Sequence, residues 1–304
     1  MIFDNKEWMS GHNKGYTDFG WASPITLTVT QDSDIAVKTG AYFFHRYGEN
    51  SQVDHRPILS LQYSASETQL LSFGTLNQPD EIHPALMQPV RLLSDPLAEG
   101  IQWRLDTEKI NTVLWLDWNI LETSDTAERF NTGFHIEWQP MTNLWLQHTL
   151  LHDHTDGQIT NDPTSKRIYG TYNSLFWESD FPKQRPKIRM GAAVIDSQAD
   201  VNDLISKGFG TEVFITADMN QAHWLHQLTL SHYWGSGQVT GGFVLYQHEQ
   251  LDTLKFTSTY LASNNMNIEL ALAIDWVNLQ ANTSQKINVI WSLGHSSLIQ
   301  PDLN

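Results

Sequence analysis

The segment MNIELALAIDWVNL, residues 266–279, alternates with period two. Ile268, Leu270, Leu272, Ile274 and Trp276 fall on one side; Asn267, Glu269, Ala271, Ala273 and Asp275 fall on the other. Successive side chains of a β-strand point to opposite faces, so this pattern predicts a strand with one apolar and one polar face. The pattern recurs along the chain. In RFNTGFHIEW (129–138) Phe130, Phe134, Ile136 and Trp138 oppose Asn131, Gly133, His135 and Glu137. In VLWLDWNI (113–120) Leu114, Leu116, Trp118 and Ile120 oppose Trp115, Asp117 and Asn119. GFGTEVFIT and KINVIWSLG divide in the same way, and PITLTVT and TLKFTSTYLA do so more weakly.

The connections between these segments alternate in length. Short turns are expected at 31–34, 64–67, 106–109, 139–142, 218–221 and 250–252, and longer loops at 48–55, 76–99, 121–127, 154–166 and 197–206. Short and long connections in turn are the mark of an up-and-down meander whose two ends face different surroundings. No linker or shift of composition divides residues 1–304, which predicts a single all-β domain of roughly 14 to 16 antiparallel strands. Residues 1–20 supply an N-terminal segment and the first strand. The loop 76–99 holds four prolines and the apolar run ALMQPVRLL, and is expected to fold inward as a plug or constriction, or to cap one end.

Two folds share this alternation. In a soluble two-sheet sandwich or a propeller the apolar face is the core; in a membrane barrel it meets lipid and the polar face lines the interior. Trp118, Trp138 and Trp276 stand near strand ends, where an indole suits the headgroup interface. The polar faces carry Gly, Ala, Asn, Thr and Ser with few charges, as a confined hydrated interior requires. Charged residues make up 17% of the chain, against about 25% in soluble domains. Both features favour a transmembrane β-barrel.

Composition narrows the function classes. With 18 Lys+Arg against 34 Asp+Glu, the net charge of -16 provides no basic patch for nucleic acid. No apolar run approaches the ~20 residues of a membrane helix, and the chain has no cysteine. MIFDNKEWMS lacks the basic start and apolar run of a signal peptide, so for an exported protein the numbering is expected to begin after a cleaved signal or at a truncated start.

The chain resembles the porin-like outer-membrane β-barrel proteins of Gram-negative bacteria. The resemblance is to a poorly characterised group of them that opens with an aromatic-acidic-Asn-x-Glu-aromatic segment followed by Gly-Tyr-Thr. Here these are FDNKEW (3–8) and KGYTDFG (14–20), with FGTL (73–76), IHPALMQPV (82–90) and EGIQW (99–103) as further matches. The resemblance implies insertion in the bacterial outer membrane, with the lipid bilayer as one partner. It transfers no catalytic residue.

Candidate chemistry is sparse. HTLLHDHTDG places His152 and His154 on one face with Asp156 beyond, a weak metal-ligand set, and a strand end running into a polar loop explains it better. YWGSGQ and LGHSSL contain Ser236 and Ser296 near histidines, but neither is the G-x-S-x-G of a nucleophile elbow. The chain is therefore expected not to be an enzyme, to need no cofactor, and to pass or bind small polar solutes through its lumen. The expected lumen-lining residues are Arg46, Arg104, Asp117, Glu137, Glu212, Glu269 and Asp275. Two alternatives stand beside this: a soluble or surface glycan-binding sandwich or propeller, and an outer-membrane lipid hydrolase.

Overall fold

A computed structural model describes residues 1–8, 15–31, 34–48, 53–77, 82–86, 97–157, 165–179, 186–202, 204–236, 244–263, 266–277 and 280–291. Sixteen strands follow one another: β1 (Ile2–Trp8), β2 (Tyr16–Gln31), β3 (Ile35–Arg46), β4 (Asp54–Ser66), β5 (Gln69–Asn77), β6 (Leu97–Asp106), β7 (Ile110–Ile120) and β8 (Glu128–Met141). They continue with β9 (Leu144–Asp156), β10 (Lys166–Glu178), β11 (Lys187–Val201), β12 (Leu204–Gln221), β13 (Trp224–Gly235), β14 (Gln250–Ser263), β15 (Met266–Val277) and β16 (Gln280–Trp291). Each pairs antiparallel with its neighbours in sequence, and β1 pairs with β16 to close the barrel. Closure satisfies every strand edge, which is what allows a sheet to sit in lipid.

The faces follow the alternation. On β2 and β4, Ile25 (62% exposed), Leu27 (64%), Val29, Leu59 and Leu61 point outward, while their neighbours Ile58 and Ser60 are buried on the inner face. Burial of an aliphatic side chain on folding is normally favourable, so a broad ring of exposed ones marks the surface that meets acyl chains. Trp118, Trp234 and Tyr47 stand outward near the long-loop end, and Trp138, Trp177 and Trp224 near the short-turn end. These are the two aromatic girdles of a membrane barrel.

Three of the expected connections differ. Residues 197–206, read as a long loop, form the end of β11 and the start of β12, joined by a tight turn in which Asn202 takes φ 50°. Asp218–Gln221 belongs to β12 and Gln250–Asp252 opens β14, so neither is a turn. The chain between β13 and β14 is instead long and carries a 3-10 helix, Val244–Gln247.

The interior is not uniformly wet. Val113, Trp115, Leu151, Tyr172, Ala193, Ile195, Tyr233, Leu251 and Val277, on the inner faces of β7 to β15, pack with Ala85, Leu86 and Tyr246 into one apolar cluster. The last three come from loops. Of the loop 76–99, the described residues 82–86 lie inside the barrel, where Leu86 is 1% exposed; residues 78–81 and 87–96 lie outside the described part.

Candidate active site

The inserted loop is seated by missing side chains on the wall. A β-carbon at Gly170 would stand 2.8 Å from Leu86 Cδ2, so glycine there leaves the recess that Leu86 fills. On the facing strands a β-carbon at Gly210 would lie 2.2 Å, and one at Gly235 1.9 Å, from the Tyr233 side chain. Both glycines therefore make room for that ring, whose hydroxyl donates to the Tyr246 carbonyl at 3.3 Å. Gly170 and the two glycines beside Tyr233 thus fix where the two loops dock.

That docking carries His83 to the wall. The Leu86 N–H donates to the His83 carbonyl at 2.9 Å, closing a turn. The Ala85 N–H donates to His83 Nδ1 at 3.2 Å, so Nδ1 is the accepting nitrogen and Nε2 bears the proton. The imidazole stacks on Tyr172, centroids 4.1 Å apart and planes within 13°. Tyr246 meets it edge-on at 5.5 Å. Nε2 then lies 3.2 Å from Oε2 of Glu212, which is only 4% exposed.

A carboxylate so far from water costs free energy unless neighbouring groups stabilise its charge. His83 faces it directly, and its cationic form is the neighbour that favours the carboxylate charge. Tyr246 is held in its phenolic form: full burial, and after it the Glu212 carboxylate, push its pKa well above the ordinary tyrosine value. The site thus holds an imidazole, oriented by the Ala85 N–H and the Tyr172 ring, beside a carboxylate and a neutral hydroxyl, a set that can move a proton and donate a hydrogen bond to developing negative charge.

Strand register places all seven expected lumen residues on the inner face, spread over many strands. Glu212 is the one that joins this cluster. Arg46 pairs with Asp18 at 3.5 Å, and Arg104 Nε donates to Gln102 at 2.9 Å. Asp117 accepts from the Glu99 N–H at 2.9 Å and from Asn131 at 3.1 Å. Glu137 stands in register with Asn111 and Gln147. Glu269 accepts from Asn288 at 3.1 Å, and Asp275 from Thr253 at 2.9 Å.

The metal candidates do not converge. His152 and His154 share the outward face, but His154 turns to Glu128 at 3.7 Å and Asp156 to Arg167 at 3.0 Å. Among the described residues no three His, Asp or Glu side chains form a group that could hold an ion. The stretch is the end of β9, which stops at Asp156 before the connection to β10 at Lys166. Ser236 accepts the Phe209 N–H at 3.1 Å, tying β12 to the end of β13; Ser296 lies outside the described residues. His83, Tyr172 and Tyr246 are absent from the expected set. For His83 the signal was its place beside the apolar run of a proline-rich loop.

The closed barrel, its exposed apolar belt and its two aromatic girdles define an outer-membrane β-barrel protein. Residues 2–276 match the family described as Lipid A 3'-O-deacylase-type, and the chain belongs to that family. Membership in a family of enzymes overturns the expectation of a non-enzymatic barrel. No curated protein sequence matches. Among solved structures the chain is similar to a loop-deletion mutant of OmpT, an outer membrane protein of Vibrio cholerae (TM-score 0.59, 10% identity, 96% of each chain covered). It is also similar to the anion-selective porin of Comamonas acidovorans (TM-score 0.55, 10% identity, 96% of this chain and 98% of that one) and to opdK of Pseudomonas aeruginosa (TM-score 0.53, 9% identity, 96% of each). At such identities these likenesses show the fold alone.

Proposed function

We propose that this barrel hydrolyses a fatty-acyl ester of a lipid A-type glycolipid in the outer leaflet, with His83 and Glu212 as its proton-transfer pair. The observation that carries the reading is the buried His83–Glu212 contact inside the barrel wall of a chain from a deacylase-type family. Glu212, 3.2 Å from Nε2, stabilises the imidazolium that forms, which leaves Nδ1 as the base once a water displaces the Ala85 N–H from it. Nδ1 takes a proton from that water as its oxygen adds to the ester carbonyl. The Tyr246 hydroxyl donates to the resulting oxyanion. Collapse breaks the bond to the alcohol oxygen, which recovers the proton from His83, giving a free fatty acid and a sugar hydroxyl.

In this reading the loop 76–99 is the element that delivers the catalytic imidazole. Passage of small polar solutes fits less well, because Leu86 and Tyr246 occupy the space that a conducting lumen needs on this side. Mass spectrometry of lipid A incubated with the detergent-purified barrel tests the proposal. Wild type is expected to lower the lipid mass by one acyl chain. His83→Ala and Glu212→Gln are expected to slow that loss by ~10²–10⁴-fold, the range for removing a positioned acid–base group, while keeping the faster gel mobility of an unheated folded barrel. Unaltered acyl release by both variants would sink the assignment.

A further inference from the structure

The outer surface of β8 to β10 breaks the apolar pattern of the belt. Thr149 and Leu151 are buried inward on β9, so His152, His154 and Asp156 run to the outside at the long-loop end. Phe130 on β8 and Arg167 and Tyr169 on β10 stand beside them on the same face, through register pairs that join Phe130 with His154 and His152 with Tyr169. Phe130 stacks on His154 at 4.7 Å and 29°, and His152 on Tyr169 at 4.5 Å and 5°. His152 Nε2 is buried with no hydrogen-bond partner among the described residues. Arg167 bonds to Asp156 but remains 46% exposed.

Long loops mark the external end of outer-membrane barrels, so these groups stand level with the headgroups of the outer leaflet, directly above the acyl-chain belt. Flat rings suit the apolar face of a sugar. A guanidinium with free N–H groups suits a phosphate. We infer that this patch docks the phosphorylated sugar headgroup of an outer-leaflet glycolipid, with Arg167 on the phosphate and Tyr169 and Phe130 beside the sugar rings. The inference rests on the proposed deacylase reading for its lipid class. The patch is a docking site separate from the His83–Glu212 pair: the barrel wall stands between them, so a headgroup held here does not present its sugar-linked ester to His83.

The test measures binding apart from chemistry. Full-length His83→Ala barrel in detergent is titrated with purified lipid A, followed by native mass spectrometry, with and without Arg167→Ala and Tyr169→Leu. Each added change is expected to weaken lipid A binding by ~10-fold, which corresponds to about 1.4 kcal/mol, with Arg167→Lys intermediate. His226→Ala, outward near the short-turn end, is expected to bind as the parent does. Lipid A stripped of phosphate is expected to bind the parent more weakly and to be indifferent to Arg167→Ala. Equal binding by all the variants overturns the inference whether or not the wild type releases acyl chains. If the patch changes weaken binding while no wild-type acyl release occurs, the docking surface stands and the hydrolase reading falls.

Discussion

The wall from β2 to β4 and the wall from β8 to β12 use the same alternation for different ends. In the first, every outward position through the mid-belt of β2 is aliphatic, as with Ile25, Leu27 and Val29, and the inner face carries Lys38, Ser60 and Gln62. In the second, aromatic and ionisable groups reach the outside at the long-loop end, and the inner face is packed against inserted loops. The first wall is a membrane anchor, and its energetics lie in contact with acyl chains. In the second, both faces depart from what lipid and water alone would select.

Three substitutions sharpen the contrast. Ile25→Arg places a charge in the acyl-chain region and is expected to destabilise the barrel by ~2–4 kcal/mol, as midplane charges do, measured by urea unfolding in micelles or vesicles. A much smaller change would mean that β2 does not face lipid. Gly210→Ala drives a methyl group into the Tyr233 ring and is expected to cost ~1–3 kcal/mol, the range for overpacking. It should also slow acyl release, because Tyr233 supports the Tyr246 carbonyl; retention of full activity would show that the site does not depend on that seat. Trp115→Phe removes the indole donor to Asn131, a 3.0 Å bond on the inner face, at an expected ~1 kcal/mol, with lipid A binding unchanged.

The contrast also explains what was legible in the sequence. The barrel could be read because lipid demands apolar side chains at every second position, and β15 shows this plainly with Ile268 to Trp276 against Glu269 and Asp275. The reading failed where strands rise above the belt. There the outward positions Asp196, Gln198 and Asp200 of β11 are polar instead of aliphatic, so, although Ser197 and Ala199 are buried on the inner face, the stretch carries no apolar period-two signal and passes for a loop. The same cause set the start of the expected loop at 154, two residues before β9 ends at Asp156. His83 and Glu212 meet only because an inserted loop crosses the interior, and no local pattern records a contact between residues so distant in the chain. Glu212 was legible as an inward polar residue, but its partner was not.

The closing seam has a consequence for how the molecule comes into being. Ile2–Lys6 of the first strand is bonded on one side to Gly20–Tyr16, and Ile2–Trp8 on the other to Asn288–Asn282 of the last. The contact of greatest sequence separation is therefore the one that turns an open ribbon into a cylinder. Loop-closure entropy must be met before that contact repays it, so translocation of nearly the whole polypeptide precedes the final stitch. Until then, the two outermost strands present bare hydrogen-bonding edges to whatever machinery or neighbouring chain stands beside them.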